Sequence, residues 1–221
     1  MARKTSFTRD DVVDAAFRVL EAGGAGAVTA RRVADTLGAS TAPVYSNFAN
    51  MEELLVAVID ELGTAEVLRS CRRSWTDDPF LNMGIGFVRF AVDHPQLFRA
   101  MYLEPKRTCA DEDVVEPQLL ADLAAHPLLG ALPVDHREEL FFQASIYTLG
   151  IATTVVTGLW PDPDLAVVEA WLRSVGGLLI RAAMESAGLA IPPEFHFSTG
   201  EFVVPWRQPG CAATEDDHDE S

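Results

Sequence analysis

The sequence has 221 residues, a formal net charge of −16 and a hydrophobic fraction of 48%, so it can bury a core in one large domain or two small ones. We find neither a signal-peptide region nor a run of about 18 uncharged apolar residues, which predicts a soluble cytoplasmic protein that makes no membrane contact. The three cysteines are far apart, which fits reduced thiols better than a disulfide framework or a metal knuckle.

The first predicted helix follows Thr8. Thr8 and Asp11 have the spacing of a capping box in which Asp replaces the usual Glu. Four apolar residues then fall on one helical face: Val12, Ala16, Phe17 and Leu20. Gly23 and Gly24 are predicted to end this helix, because glycine readily adopts the left-handed cap conformation.

Two short helices are predicted next. Thr29 begins the first, Gly38 ends it, and Ser40 or Thr41 begins the second, A-P-V-Y-S-N-F. Pro43 marks the start of that helix, because the amide it lacks would have no intrahelical partner in the first turn. Two short helices joined by a glycine turn and packed on a longer one form a helix-turn-helix, which binds DNA.

Helices are predicted over most of the remaining chain. Glu52 opens one that continues towards Arg73, and apolar segments with helical spacing follow, with Asp135 as the expected cap of a long one. The only competing strand pattern is the short stretch E-F-V-V-P-W. The fold class predicted is all-α, with an N-terminal three-helix unit and a larger helical domain.

The charge is unevenly distributed along the chain. Residues 1–50 carry six basic and five acidic side chains, so the other 171 residues carry −17. An acidic body is repelled by polyphosphate, and a separate near-neutral end is therefore expected to make any DNA contact. We predict a DNA-binding domain at 1–50, a second helical domain at 51–188, and a Pro/Gly-rich acidic tail at 189–221 that is partly disordered.

The segment T-A-R-R-V-A-D-T-L-G-A-S-T-A-P-V-Y-S-N-F-A-N-M-E-E-L-L resembles the DNA-binding region of TetR/AcrR-type transcriptional regulators. The motif-level resemblance covers residues 8–56, and F-V-R-F-A-V-D-H-P-Q-L-F-R-A-M-Y is similar to a segment of the family's ligand domain. The resemblance implies double-stranded operator DNA and a small-molecule effector as partners.

The resemblance also implies which residues touch DNA. Arg31 is placed to reach guanine O6 and N7, and the tip of the recognition helix to reach base edges. Tyr45 is expected to donate its hydroxyl to a phosphate, which positions the protein without specifying sequence. The full set implied is Thr29, Arg31, Arg32, Ser40, Thr41, Ala42, Pro43, Tyr45 and Asn47.

Two residues depart from the family pattern. Asn47 stands where the family has His, and it can still donate to a phosphate. Met51 stands where the family has Lys, and a methionine cannot neutralise a phosphate. We therefore expect operator binding to depend on salt with a slope smaller by about one unit than in the family.

The body is apolar with scattered polar groups, which predicts a small-molecule pocket between helices and favours an apolar or aromatic ligand. Most of the candidates are expected to be ordinary core, with fewer than half lining a ligand: Phe87, Phe90, Met101, Tyr102, Phe141, Ser145, Tyr147 and Thr148. We predict no catalytic residues, no metal ligands and no cofactor.

The last two long helices carry small residues where neighbouring helices must approach closely. In the family these helices form a two-fold dimer interface, so the resemblance implies a homodimer whose two recognition helices read half-sites about 34 Å apart. We expect the protein to act as a repressor. In the hypothesised mechanism a ligand binds between body helices and moves the fourth helix, and the protein then releases the operator.

Two other classes of function stay open at this point. An α-helical enzyme using the apolar cavity is one, although the sequence shows no nucleophile–base arrangement, metal cluster or Gly-rich phosphate loop. The other is a ligand-binding or protein-interaction module of the same fold with weak or lost DNA binding, which Met51 and the net charge of −16 favour.

Overall fold

The computed structural model describes residues 7–104, 117–193 and 195, and all regular structure in them is helical. The α-helices in this part of the chain are α1 (Arg9–Gly23), α2 (Ala30–Leu37), α3 (Ala42–Asn47), α4 (Met51–Ala57), α5 (Thr64–Cys71), α6 (Pro79–Asp93), α7 (Pro95–Phe98), α8 (Pro117–Ala124), α9 (Val134–Val156) and α10 (Leu165–Ser186). Two π-helical segments adjoin them, at Val58–Gly63 and Arg99–Leu103. The prediction of an all-α fold is confirmed.

The predicted ends of α1 and α2 are found in the structure. The Asp11 amide donates to Thr8 Oγ1 at 3.2 Å and the Thr8 amide donates to Asp11 Oδ2 at 2.7 Å, which completes the capping box. The Arg32 amide donates to Thr29 Oγ1 at 3.3 Å at the start of α2. Gly38 ends α2 with φ of 65°, a left-handed conformation that glycine adopts without strain.

The start of α3 differs in detail from the prediction. Thr41 occupies the N-cap position, but its side chain makes no capping hydrogen bond. Ser40 Oγ accepts a long bond of 3.4 Å from the Ala42 amide instead. Pro43 lies in the first turn as predicted, so α3 begins where its amide is not needed.

The helix predicted from Glu52 to Arg73 begins one residue earlier and ends two residues earlier. Asn50 is its cap, with Oδ1 accepting from the Glu53 amide at 2.8 Å. The π-helical segment Val58–Gly63 separates α4 from α5, and it packs on the second π-helical segment, where a Cβ on Gly63 would lie 2.9 Å from Met101 Sδ. Periodicity alone did not reveal either segment, because a π-helical turn shifts the helical register by a single residue.

Helix α6 is the central helix of the body and packs along α5, α9 and α10. Its approach to α5 is so close that a Cβ on Gly86 would lie 2.1 Å from the Ser70 carbonyl oxygen. Only glycine fits this crossing, which fixes the position of α6 relative to α5.

One hydrophobic core runs through the N-terminal helices and the body. It joins Val12 and Leu20 of α1 to Leu54 of α4, Phe98 of α7 and Met184 of α10, all nearly inaccessible to solvent. The packing is therefore continuous across residue 50, where we predicted a domain boundary. A second, smaller cluster lies between α6, α9 and α10 and carries Trp75, Trp160 and Trp171 on its margin.

Helix α9 is long and apolar enough to cross a membrane, by length and composition alone. The prediction that no such run exists overlooked this helix, whose stretch L-F-F-Q-A-S-I-Y-T-L-G-I-A-T-T-V-V-T has no charged residue. In the fold α9 packs against α6, α8 and α10. A core helix of a helical body passes the same test, so the composition of α9 is weak evidence for a membrane span.

Other predictions are corrected or lie outside the described residues. Pro133, not Asp135, occupies the cap position of α9, and Asp135 lies in the first turn. The short helix predicted after Pro95 is α7 followed by the segment Arg99–Leu103. The charged loop predicted at 106–113, the stretch E-F-V-V-P-W and the end of the tail lie outside the described residues.

We predict that Gly86→Ala destabilises the protein by about 1–3 kcal/mol or more, because the added methyl group overlaps the backbone of α5. Urea denaturation followed by circular dichroism measures the change in the free energy of unfolding. Gly26→Ala is the matched control, since nothing lies within 4 Å of its Cβ position. Equal midpoints for the two variants would contradict the close crossing of α5 and α6.

Candidate nucleic-acid interface and ligand cavity

The N-terminal part of α2 presents polar side chains to solvent. Thr29, Arg31 and Arg32 are all exposed. A Cβ on Gly23 would lie 3.5 Å from Arg32 Nη1, so the Arg32 guanidinium lies beside the end of α1. Arg31 makes no ion pair with any residue that the structure describes. Its guanidinium is thus the freer of the two to meet an external partner.

The first turn of α3 is an exposed, uncharged surface. Ser40, Thr41 and Ala42 are exposed, while the Pro43 ring is half-buried. Tyr45 is 60% exposed, an unusual placement for a large aromatic side chain. Val44 and Phe48 of the same segment point into the core and anchor α3 on α1.

Asn47 and Met51 point partly inward. The Asn47 side-chain amide donates to the Pro43 carbonyl at 2.8 Å, which uses one of its two N–H groups within α3. Met51 is half-buried and packs against the core at the first position of α4. The neighbouring Glu52 and Glu53 are exposed, so this end of the surface carries negative charge where the family pattern has Lys-Glu-Glu.

A cavity of about 280 Å³ lies between α5, α6, α8, α9 and α10. Six of the eight residues predicted to bind a ligand line it: Phe87, Tyr102, Phe141, Ser145, Tyr147 and Thr148. The structure places the remaining two elsewhere. Phe90 is completely buried among other aromatic rings, and Met101 packs against Gly63.

The cavity wall is mostly apolar with a few polar groups. Burial raises the pKa of the Tyr147 hydroxyl, and it raises the pKa of the Cys71 thiol to about 12, so both are protonated at neutral pH. The Thr148 hydroxyl donates to the Ala144 carbonyl at 2.8 Å. Because its thiol is buried and protonated, Cys71 is a small apolar part of the wall and not a nucleophile.

Two charged residues stand on the same wall. Burial alone would raise the pKa of Asp78, but the His126 ring 3.6 Å away and the hydrogen bonds from the Leu81 and Phe80 amides outweigh burial and lower it. Arg173 pairs with Glu169 at 2.7 Å. Arg173 is thus paired with a carboxylate, and the Asp78 carboxylate accepts two backbone hydrogen bonds.

Sequence reasoning missed the walls supplied by α5 and α10, which include Val67, Cys71, Leu172 and Gly176. No signal in the sequence separates these positions from ordinary core, because a cavity is formed by the angle between helices and not by the pattern along one of them. Among residues 7–104, 117–193 and 195, no group of three or more His, Cys, Asp or Glu side chains lies close enough to hold a metal ion.

A third feature is an exposed apolar strip on α9 and α10. Phe142 is 43% exposed, Ile146 is 55% exposed and Leu178 is 58% exposed. Gly150 lies near them on α9 with nothing within 4 Å of its Cβ position. By contrast, Ala152 and Gly177 are buried within the protomer, so only some of the small residues on these helices face outward.

Comparisons with known proteins bear on this arrangement. Residues 12–58 match the family of bacterial regulatory proteins named the tetR family, and no curated protein matches the chain significantly. The crystal structure of a TetR variant from Acinetobacter baumannii AYE in complex with minocycline is similar in fold, with a TM-score of 0.55. That alignment covers 82% of this chain and 98% of the other, at 18% identity. The matched segment contains α2, α3 and the exposed surface described above, so this N-terminal part of the chain is similar to the tetR family of bacterial regulatory proteins.

Proposed function

We propose that the protein is a cytoplasmic transcriptional repressor that binds a pseudo-palindromic operator as a homodimer and leaves it when a small, largely apolar ligand fills the cavity. The family consists of regulators and not of enzymes, which agrees with the prediction of a non-enzyme. The observation that carries the proposal is the exposed, uncharged tip of α3 together with Arg31 on α2, which is exposed and forms no ion pair with a residue in the described part of the chain.

The contacts proposed with DNA follow from exposure and chemistry. Ser40, Thr41 and Ala42 offer small groups to base edges, and the half-buried Pro43 holds them at the helix start. The guanidinium of Arg31 suits guanine O6 and N7. The larger number of contacts is expected with phosphates, from Thr29, Arg32, Tyr45 and the remaining N–H of Asn47.

The apolar cavity supports the proposal of a regulatory ligand. Its volume of about 280 Å³ and its aromatic wall suit a small aromatic or aliphatic molecule. Helix α5, which supplies Val67 and Cys71 to the wall, continues into α4 through the segment Val58–Gly63. Displacement of α5 by a ligand is the proposed cause of movement at α4, and the ligand must bind the released state more tightly.

The apolar strip on α9 and α10 supports the proposal of a homodimer. Three large apolar side chains are exposed together there, and burying each removes apolar surface from water. Gly150 leaves room for a second copy to approach closely. A two-fold arrangement of these helices gives two recognition helices at a fixed separation.

The test of the proposed function is a gel shift with the DNA upstream of the protein's own coding sequence. We expect a specific complex that resists an excess of unrelated DNA of equal length and weakens as the salt concentration rises. Binding that is equally weak for both DNAs would overturn the proposal. It would favour instead a ligand-binding module with lost DNA binding, which Met51 and the inward bond of Asn47 also fit.

We predict that Arg31→Ala weakens operator binding by about 1–3 kcal/mol and relaxes the base preference at one position of each half-site. Fluorescence anisotropy with a set of single-base operator variants measures both effects. Arg69→Ala is the control, because Arg69 is equally exposed but lies on α5 and pairs with Glu66. A uniform loss across all operator variants would reassign Arg31 to a phosphate contact.

We predict that Met51→Lys makes the logarithmic salt dependence of operator binding steeper by about one unit, because it adds one cation beside the DNA backbone. Operator affinity is measured by anisotropy over a series of salt concentrations. Since Met51 is half-buried, Met51→Gln serves as the control that removes the same packing without adding charge. An unchanged slope in Met51→Lys would show that this position does not face the DNA.

We predict that Ile146→Asp raises the dimer dissociation constant at least about a hundredfold. Both copies of a two-fold dimer carry the substitution, so the interface loses two buried apolar side chains and gains two buried charges. Sedimentation equilibrium measures the change. Val92→Asp is the matched control, as Val92 is a partly exposed aliphatic residue on α6 away from the strip. A dimer of unchanged strength in Ile146→Asp would place the interface elsewhere.

A further inference from the structure

Helix α1 is held to the body by a direct contact between two ionisable side chains. His94 Nδ1 at the end of α6 lies 2.7 Å from Glu21 Oε2 near the end of α1. Both side chains are about a quarter exposed. The end of α1 is also close to α7, because a Cβ on Gly24 would lie 3.0 Å from Gln96 Oε1. The junction of α6 and α7 therefore contacts the element on which α2 and α3 are packed.

The Glu21 carboxylate depends on this contact. Its other oxygen, Oε1, is buried and has no hydrogen-bond partner among the described residues. A carboxylate with one desolvated oxygen is stabilised mainly by whatever binds the other oxygen. Moving α1 away from His94 would remove that partner, so the Glu21 carboxylate favours the orientation of α1 in which it contacts His94.

The His94 ring is in turn the end of a row of aromatic rings that begins at the cavity. Phe87 lines the cavity and its ring centroid lies 6.4 Å from that of Phe90. The Phe90 ring lies 5.6 Å from the His94 ring. Phe98 contacts both Phe87 and Phe90, and both Phe90 and Phe98 are completely buried.

Such a row transmits displacement because close-packed rings cannot move singly. A ligand that pushes Phe87 has to shift Phe90 or Phe98, and Phe90 rests on His94. A displacement that passes from α5 to α4 has to cross the π-helical segment Val58–Gly63, where the helical hydrogen-bond pattern changes. The route through His94 crosses from body to α1 by side-chain contacts alone.

We propose that the His94–Glu21 contact is a positioning contact that acts beside the connection from α5 to α4. Through it, filling of the cavity shifts α1, and with it the proposed DNA-binding surface of α2 and α3. This inference rests on the proposed function and deepens it by naming the contact that couples the two sites. Neither residue touches DNA or ligand in this scheme; both act by holding α1 in one orientation relative to α6.

The chain offers a matched control at the other end of α1. Arg9 Nη2 lies 2.6 Å from Glu61 Oε1, and this pair also joins α1 to the body. Both of its side chains are more than two-fifths exposed, and neither contacts the row of aromatic rings. Glu21→Gln and Glu61→Gln each remove one carboxylate charge from a pair that joins α1 to the body, and neither changes the size of the side chain.

The test measures coupling between the cavity and the operator. The probe is N-phenylnaphthylamine, a neutral aromatic fluorophore whose location in the cavity is verified by its loss of binding in Ser145→Trp. Operator affinity is measured with and without saturating probe in the full-length protein, and the ratio is the coupling factor. Linkage requires that the operator change the probe affinity by the same factor, which gives an independent reading.

We expect wild-type coupling of about 5- to 150-fold, and a reduction of this factor by at least about threefold in Glu21→Gln and in His94→Gln. In the absence of DNA, both variants should bind the probe with the same affinity as the wild type. A variant whose cavity had unfolded would bind the probe more weakly. Glu61→Gln should retain the wild-type factor. The double variant Glu21→Gln/His94→Gln should lose no more coupling than either single variant, because both remove one contact.

The outcomes separate this inference from the proposed function. If the wild type binds no specific DNA, the proposed function fails and the inference fails with it. If the operator is bound but the probe does not alter its affinity, or if Glu21→Gln couples like the wild type, the inference is overturned while DNA binding stands. Equal loss of coupling in Glu61→Gln would also overturn it, because any loosening of α1 would then suffice.

Discussion

Helix α1 buries one broad apolar face, and the rest of the structure depends on this. Its six buried residues are Val12, Val13, Ala15, Ala16, Val19 and Leu20. Helices α2 and α3 pack on α1, and so do α4, α7 and the segment Val58–Gly63. Because α1 contacts both groups, its orientation sets where the proposed DNA-binding surface lies relative to the cavity.

The body is organised around the close crossing of α5 and α6. Gly86 brings the two backbones together, and the cavity lies between these helices and α8, α9 and α10. Two of the polar groups on its wall bond within the protein, Thr148 to Ala144 and Arg173 to Glu169. An apolar ligand can therefore enter without breaking internal ion pairs, and binding selectivity is expected to come from shape.

The charge distribution fits a protein with two distinct surfaces. The body carries the negative charge, and α3 offers an uncharged tip flanked by Arg31 and Tyr45. An acidic body weakens nonspecific attraction to DNA, so that specific base contacts make up a larger share of the total affinity. Met51 and the exposed Glu52 and Glu53 act in the same direction at the start of α4.

The sequence by itself determined the local structure of the N-terminal helices, because caps, glycine ends and the proline position depend on neighbours a few residues away. Thr8, Thr29 and Gly38 lie where their chemistry predicts. The all-α class and most helix positions followed from periodicity for the same reason. The tertiary structure decided everything that depends on distance across the fold. Periodicity cannot distinguish Phe87, which lines the cavity, from Phe90, which is core, because both are apolar residues of one helix. Nor can it pair His94 with Glu21, since 73 residues separate them and only the packing of α1 on the body brings them to 2.7 Å.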